Sequence, residues 1–159
     1  MSSLLKMTVA MLKNIHPLLN ADILQVLAAM GHGDTLVLCD ANFPAASVAR
    51  DTSSGQLLRM DGANAPQVAE AVLSVMPLDT FVDDAAQCME VVGSPGERPE
   101  VQQQVQEVID SAELQSFKLV PVERYEFYAR AKRAYAVVAC GEPRFYGCFI
   151  FMKGVIAPK

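Results

Sequence analysis

His32 sits in Gly31-His32-Gly33-Asp34, one of two histidines in a chain of 159 residues. Glycine on both sides removes Cβ bulk and lets a ligand approach the backbone. An imidazole gives or takes a proton near neutral pH, so His32 is a candidate acid/base. The same glycines would also serve a plain helix-to-strand turn. Asp40 directly follows the apolar run Thr35-Leu36-Val37-Leu38-Cys39. In open α/β sheets ligands bind outside the carboxyl ends of strands, and a carboxylate there accepts hydrogen bonds from hydroxyl groups. Its alternative role is to cap the turn at Asn42-Phe43-Pro44. Arg124 opens Arg124-Tyr125-Glu126-Phe127-Tyr128 at a strand-to-helix junction, where its fixed fork of donors suits paired hydroxyls or a carboxylate. Arg130, Lys132 and Arg133 read instead as a solvated helix face. Tyr146-Gly147-Cys148 precedes four apolar residues. The tyrosine offers a flat apolar face with a polar tip, which suits a sugar. The plainer alternative is an edge-strand aromatic followed by a bulge glycine and a small core residue.

Other chemistries lack their residues. With His16 and His32 alone, and no H-x-x-x-H or C-x-x-C spacing, a zinc site is not expected. No G-x-G-x-x-G, G-x-x-x-x-G-K-[ST] or G-x-S-x-G occurs, so nucleotide binding and a serine-nucleophile elbow have no support. Cys39 lies inside an apolar run, where burial raises a thiol's pKa and leaves it inert.

These side chains need a scaffold, and the pattern predicts one. Asn20 can cap a helix carrying Ile23, Leu24, Leu27 and Ala28, ended by Gly31 in the left-handed position. The run 35–39 is continuously apolar, as in a strand buried on both faces. A short strand is expected at 57–60. A helix starts near Asn64 with Pro66 in its first turn and stops at Pro77. Strands are expected at 88–92, 118–122, 134–139 and 149–152. Helices are expected at 100–111, with Val101, Val105, Val108 and Ile109 at helical spacing, and at 124–133. Helices alternating with buried strands imply an α/β sandwich, three layers deep, around a largely parallel sheet.

The composition agrees with a single domain that buries a core without staples. The hydrophobic fraction is 52% and the charged fraction 19%, and this apolar surplus predicts a homo-oligomer. A formal net charge of −5 argues against a nucleic-acid partner, which calls for a basic stripe. No stretch has the length of a membrane span, and Met1 to Ala10 is a poor signal peptide. Cys39, Cys88, Cys140 and Cys148 form no framework, so reduced thiols and a cytoplasmic location are expected.

At Gly31-His32-Gly33-Asp34, the segment Asp40 to Ala45, Arg124 to Tyr128 with Arg130-Ala131, and Tyr146-Gly147, the sequence resembles the RbsD/FucU sugar mutarotase family. The likeness runs from near Met11 to about Val155, which makes 11–159 one mutarotase domain and 1–10 an N-terminal extension. The resemblance implies an RbsD-like fold and interconversion of the α and β anomers of a free sugar, with neither metal nor cofactor. It makes His32 the proton donor and Asp40, Arg124, Tyr146 and Gly147 sugar-binding residues. The arginine at 124 points to the L-fucose branch. Cys148 stands where the family has asparagine, and a thiol donates and accepts only weakly, so the exact sugar stays open. The resemblance also implies ring-shaped decamers with sites between neighbouring subunits. The geometry fits: an extended run from 35 to 39 separates His32 from Asp40 by about 17 Å, so a second subunit is expected to complete the site. The rival readings are a non-catalytic sugar-binding protein in transport or regulation, a mutarotase for D-ribose or another aldose, and an assembly protein with a degenerate site.

Overall fold

The side-chain oxygen of Asn20 accepts the Ile23 N–H at 3.0 Å and starts α1 (Ala21–Ala29). The structure, a computed structural model, describes residues 11–159, so the expected extension at 1–10 lies outside the described residues. After α1 come β1 (Thr35–Cys39), α2 (Ala45–Asp51), β2 (Leu57–Met60), α3 (Ala65–Leu73) and β3 (Ala86–Met89). Then follow α4 (Glu100–Ala112), β4 (Val120–Val122), α5 (Arg124–Lys132), β5 (Ala136–Cys140) and β6 (Phe149–Met152).

The strands form one sheet in the order β2-β5-β1-β6-β3-β4. β1, β2 and β5 pair in parallel, as do β3 and β4. β6 runs antiparallel to β1 on one side and β3 on the other, so it joins two parallel halves. Alternation along each strand divides the apolar side chains between two cores. Leu36 and Leu38 of β1, Val138 of β5 and Phe149 and Phe151 of β6 face a core shared with Ile23, Val72 and Val105 from α1, α3 and α4. Val37, Val137 and Ile150 face the opposite way, onto Val48 of α2 and Phe127 of α5. Each such side chain contributes about 1.5–3 kcal/mol when fully buried, and the two cores make the three layers that the sequence predicts.

Several boundaries differ from expectation. α1 ends with Met30 in an extended conformation, and Gly31 is not left-handed. Asp34 closes the turn by accepting the Gly31 N–H at 2.7 Å, which moves the left-handed position to Gly33, at φ 87°. The helix at Asn64 carries a full capping box with Gln67, yet stops at Leu73 before a turn at Ser74 and Val75, short of Pro77. The strand expected at 88–92 is Ala86–Met89, because β6 offers partners only to Ala86, Gln87 and Cys88. The strand expected at 118–122 is confined to Val120–Val122, and the one at 134–139 is shifted to Ala136–Cys140 by its register with β1. α2 is an additional helix, with Ala45, Val48 and Ala49 inward at helical spacing.

Candidate functional site

Asp40 leaves the carboxyl end of β1 only 5% exposed. Its Oδ1 accepts the N–H groups of Asn42 at 3.0 Å and Phe43 at 3.1 Å, and its Oδ2 accepts the Gly147 N–H at 3.1 Å. The turn-capping role is therefore real. A carboxylate has about four acceptor positions, so three backbone donors leave room for one more. Asp40 lines a cavity of about 400 Å³ together with Arg124, Tyr128, Tyr146, Met89 and Cys148. Four of the six residues singled out for the site thus share one pocket, with Gly147 bonded behind it.

Tyr146 is held in the left-handed region at φ 61°, which costs a non-glycine residue about 1–2 kcal/mol. Several contacts hold the Tyr146–Cys148 loop in place. The Tyr146 Oη accepts the Val92 N–H at 3.2 Å, and the Tyr146 carbonyl accepts from Gln102 Nε2 at 3.1 Å. The next residue must be small, because a Cβ on Gly147 would stand 2.9 Å from Glu142 Cγ and 3.4 Å from Asp40 Cβ. Glu142 is fully buried and accepts from Arg144 Nε at 2.7 Å. Tyr146 thus leads into the central strand β6, which rules out the edge-strand alternative. Burial, with Asp40 beside it, pushes the Cys148 thiol far above its ordinary range, so this wall presents a neutral, weakly polar sulfur.

Arg124 is the first residue of α5. The Glu123 carboxylate caps that helix by accepting the N–H groups of Tyr125 and Glu126, which hold its pKa below the usual range. Arg124 Nε donates to Tyr128 Oη at 3.1 Å, and its guanidinium carbon lies 5.6 Å and 5.5 Å from the ring centroids of Tyr125 and Tyr128. The guanidinium has further N–H groups to offer a ligand in the pocket.

His32 is elsewhere. It sits before the amino end of β1, and a strand of five residues at about 3.3 Å each separates it from Asp40. Its Nε2 lies 3.1 Å from Asp79 Oδ1, and its ring packs at 54° to Phe81 with centroids 5.4 Å apart. Asp79 is 3% exposed. Burial alone would raise its pKa, but the Phe81 N–H, donated to Oδ1 at 3.0 Å, and the His32 ring outweigh it and hold the carboxyl below its usual range. The Asp79 carboxylate on Nε2 fixes the orientation of the ring and leaves Nδ1 without a partner from Asp79. The histidine side chain is 44% exposed.

Sequence reasoning did not single out Asp79, Phe81, Met89, Gln102, Tyr128 or Glu142 for the site. Tyr128 had a signal, lying one helical turn from Arg124. Asp79 had none, because pairing through a distant segment brings it to the His32 turn: Leu78 bridges Lys153, whose carbonyl accepts the Gly33 N–H and whose N–H donates to the Asp34 carbonyl. Among the described residues no group of three His, Cys, Asp or Glu side chains could hold a metal ion, and no helix is long and apolar enough to cross a membrane.

The profile of the RbsD / FucU transport protein family matches residues 13–156. The chain belongs to this family. It is 44% identical over 149 residues to the fucose mutarotase of Homo sapiens, covering 92% of this chain and 95% of that protein. It is 41% identical over 145 residues to the L-fucose mutarotase of Haemophilus influenzae, covering 91% and 97% respectively. The crystal structure of the fucose mutarotase from Streptococcus pneumoniae in complex with L-fucose superimposes with a TM-score of 0.81 at 38% identity, over 92% of this chain and all of that one.

Proposed function

We propose that this chain is an isomerase that interconverts the α and β anomers of a free monosaccharide, L-fucose first among them. The observation that carries the reading is the arrangement at the two ends of β1. One end holds a pocket furnished with a carboxylate, a guanidinium and tyrosines, and the other an exposed imidazole backed by a buried carboxylate. The first suits the hydroxyls and apolar face of a pyranose, and the second suits proton transfer near neutral pH. The fucose mutarotases it resembles, one with L-fucose bound, support the choice of sugar.

Mutarotation opens the hemiacetal ring and recloses it on the other face. The ring oxygen gains a proton and the anomeric hydroxyl loses one, with no covalent intermediate. In this reading Asp40, Arg124 and Tyr146 hold the sugar, Gly147 positions the Asp40 carboxylate from behind, Cys148 stands against the sugar, and His32 moves the proton. A positioned acid/base of this kind supplies about 10²–10⁴-fold.

One chain does not bring its own His32 to its own pocket, so the site forms between copies. Large apolar residues are exposed at both half-sites: Phe81 at 72% beside His32, Phe145 at 73% lining the pocket, and Tyr125 at 72% against Arg124. Such surface supports contact with another subunit, and the ring-shaped decamer implied by the resemblance would repeat that contact around the assembly. The four buried free thiols fit a reducing cytoplasm.

Saturation-transfer NMR with catalytic amounts of protein tests the activity. Accelerated anomer exchange, strongest for L-fucose over D-ribose and L-galactose, is the expected outcome. Faster exchange for D-ribose would move the specificity to the surroundings of Cys148. Sugar binding without any acceleration would leave a binding protein in place of the enzyme.

A further inference from the structure

We infer that Gln102 is a positioning residue for the sugar pocket, clipping the Tyr146 loop to the end of β3. α4 presents Val101, Val105 and Ile109 to the core, and Gln102 beside them is 1% exposed. A primary amide buried to that degree is costly unless its polar atoms are bonded. Its Nε2 donates to the Met89 carbonyl at 2.8 Å and to the Tyr146 carbonyl at 3.1 Å. Met89 and Tyr146 both line the pocket, and the Met89 N–H donates to the Cys148 carbonyl at 3.1 Å. The result is a closed hydrogen-bonded loop from Met89 through Gln102 to Tyr146, and back through Gly147 and Cys148.

The amide's orientation follows from its partners. Two carbonyls face the nitrogen, and a flipped amide would set its oxygen against both. Oε1 is left buried with no hydrogen-bond partner. A side chain that only filled space on this helix would be apolar and would leave no acceptor bare. What Gln102 supplies is therefore its two donors, one to the Met89 carbonyl and one to the carbonyl of a left-handed tyrosine whose conformation the neighbouring chain must enforce.

As a clip on the binding wall, Gln102 governs how well the pocket is formed before the sugar arrives. It touches neither the sugar nor the proton in transit, since His32 stands at the other end of β1. This inference rests on the mutarotase reading for its kinetic part, and on the loop alone for the rest. The test compares Gln102→Met with Gln106→Met. Gln106 lies one turn further along α4 and bonds Phe117 and Leu119, away from the pocket. Gln102→Met is expected to raise KM for L-fucose roughly tenfold with kcat within about twofold, as for loss of two hydrogen bonds that serve binding alone. It is also expected to speed hydrogen exchange of the Gly147 amide about tenfold, while Gln106→Met lowers Tm and leaves both readouts unchanged. Unchanged Gly147 exchange in Gln102→Met, or equal effects from both variants, would overturn the inference. If Gln102→Met does not fold, Gln102→Asn keeps the amide but cannot reach both carbonyls, and an effect below that on either readout is expected from it; wild-type values would overturn the inference. If the wild-type protein exchanges no anomers, the mutarotase reading fails, and Gly147 exchange with sugar binding still decides the role of Gln102.

Discussion

Mixing two crippled variants tests the architecture of the site directly. His32→Ala removes the proposed acid/base, and Arg124→Ala removes a proposed donor to the sugar from the exposed start of α5 without touching either core. Each variant alone should retain no more than about a hundredth of wild-type turnover, the lower bound for losing a positioned acid/base in the first case. His32 and the pocket lie at opposite ends of β1, roughly 17 Å apart along the strand, so under the proposed inter-subunit arrangement each subunit would serve one site with its histidine and a different site with its pocket. After the two variants are unfolded together, in equal amounts, and reassembled, half the histidine ends and half the pocket ends are intact. If they pair at random, about a quarter of the sites regain both halves, as in any assembly built on a repeated head-to-tail contact. Saturation-transfer NMR on L-fucose should then read close to 25% of wild-type exchange, more than tenfold above either parent. Separate refolding followed by mixing at zero time controls for simple addition. Activity equal to the average of the parents would mean that His32 and the pocket of one chain serve the same site, and the inter-subunit reading would fall.

Two further outcomes are expected. Asp79→Asn should lower kcat about tenfold or more, by freeing the His32 ring. Its effect on stability should depend on pH. A carboxyl held below its ordinary value of 3.8 contributes stability in full above that value and loses it as the pH falls through the lower folded value. Urea titrations should therefore separate the two proteins at pH 7 and bring them together in strong acid. The thiols give the second test. Burial pushes Cys88 and Cys140 up to about 11, and Cys39 and Cys148 higher still. The folded protein should react negligibly with Ellman's reagent at pH 8, and all four thiols should react in denaturant.

The sequence displayed β1 and β6 because both are unbroken apolar runs, buried on each face, with a polar or glycine boundary nearby. Asn64 and Pro66 announced α3 because a capping residue followed by a first-turn proline is a local signal. α2 escaped because its inward face is built on Ala45, Val48 and Ala49, whose small side chains give little contrast with the outward ones. The true bounds of β3 were obscured by Gln87, a polar residue that is nonetheless buried, with its amide tied to the Asp84 carbonyl and to Arg130. In the site, Asp40, Arg124 and Tyr146 were legible because each flanks an element end. Gln102 lies in a run of glutamines whose burial the sequence does not distinguish. The His32–Asp79 pair depends on a contact between segments far apart in the chain, which no local pattern encodes.

β6 lies between β1 and β3 and pairs with both, although it is synthesised after the other five strands of the sheet. Until it threads between them, β1 and β3 each present a bare row of N–H and C=O groups, the kind of edge on which unfinished chains adhere to one another. Tyr146-Gly147-Cys148 is the lead-in to that same strand, so insertion of the keystone and construction of the pocket wall are one event. A nascent chain halted before Phe149 would hold β1, His32 and Asp79 in its sequence, yet have neither a continuous sheet nor an assembled pocket wall.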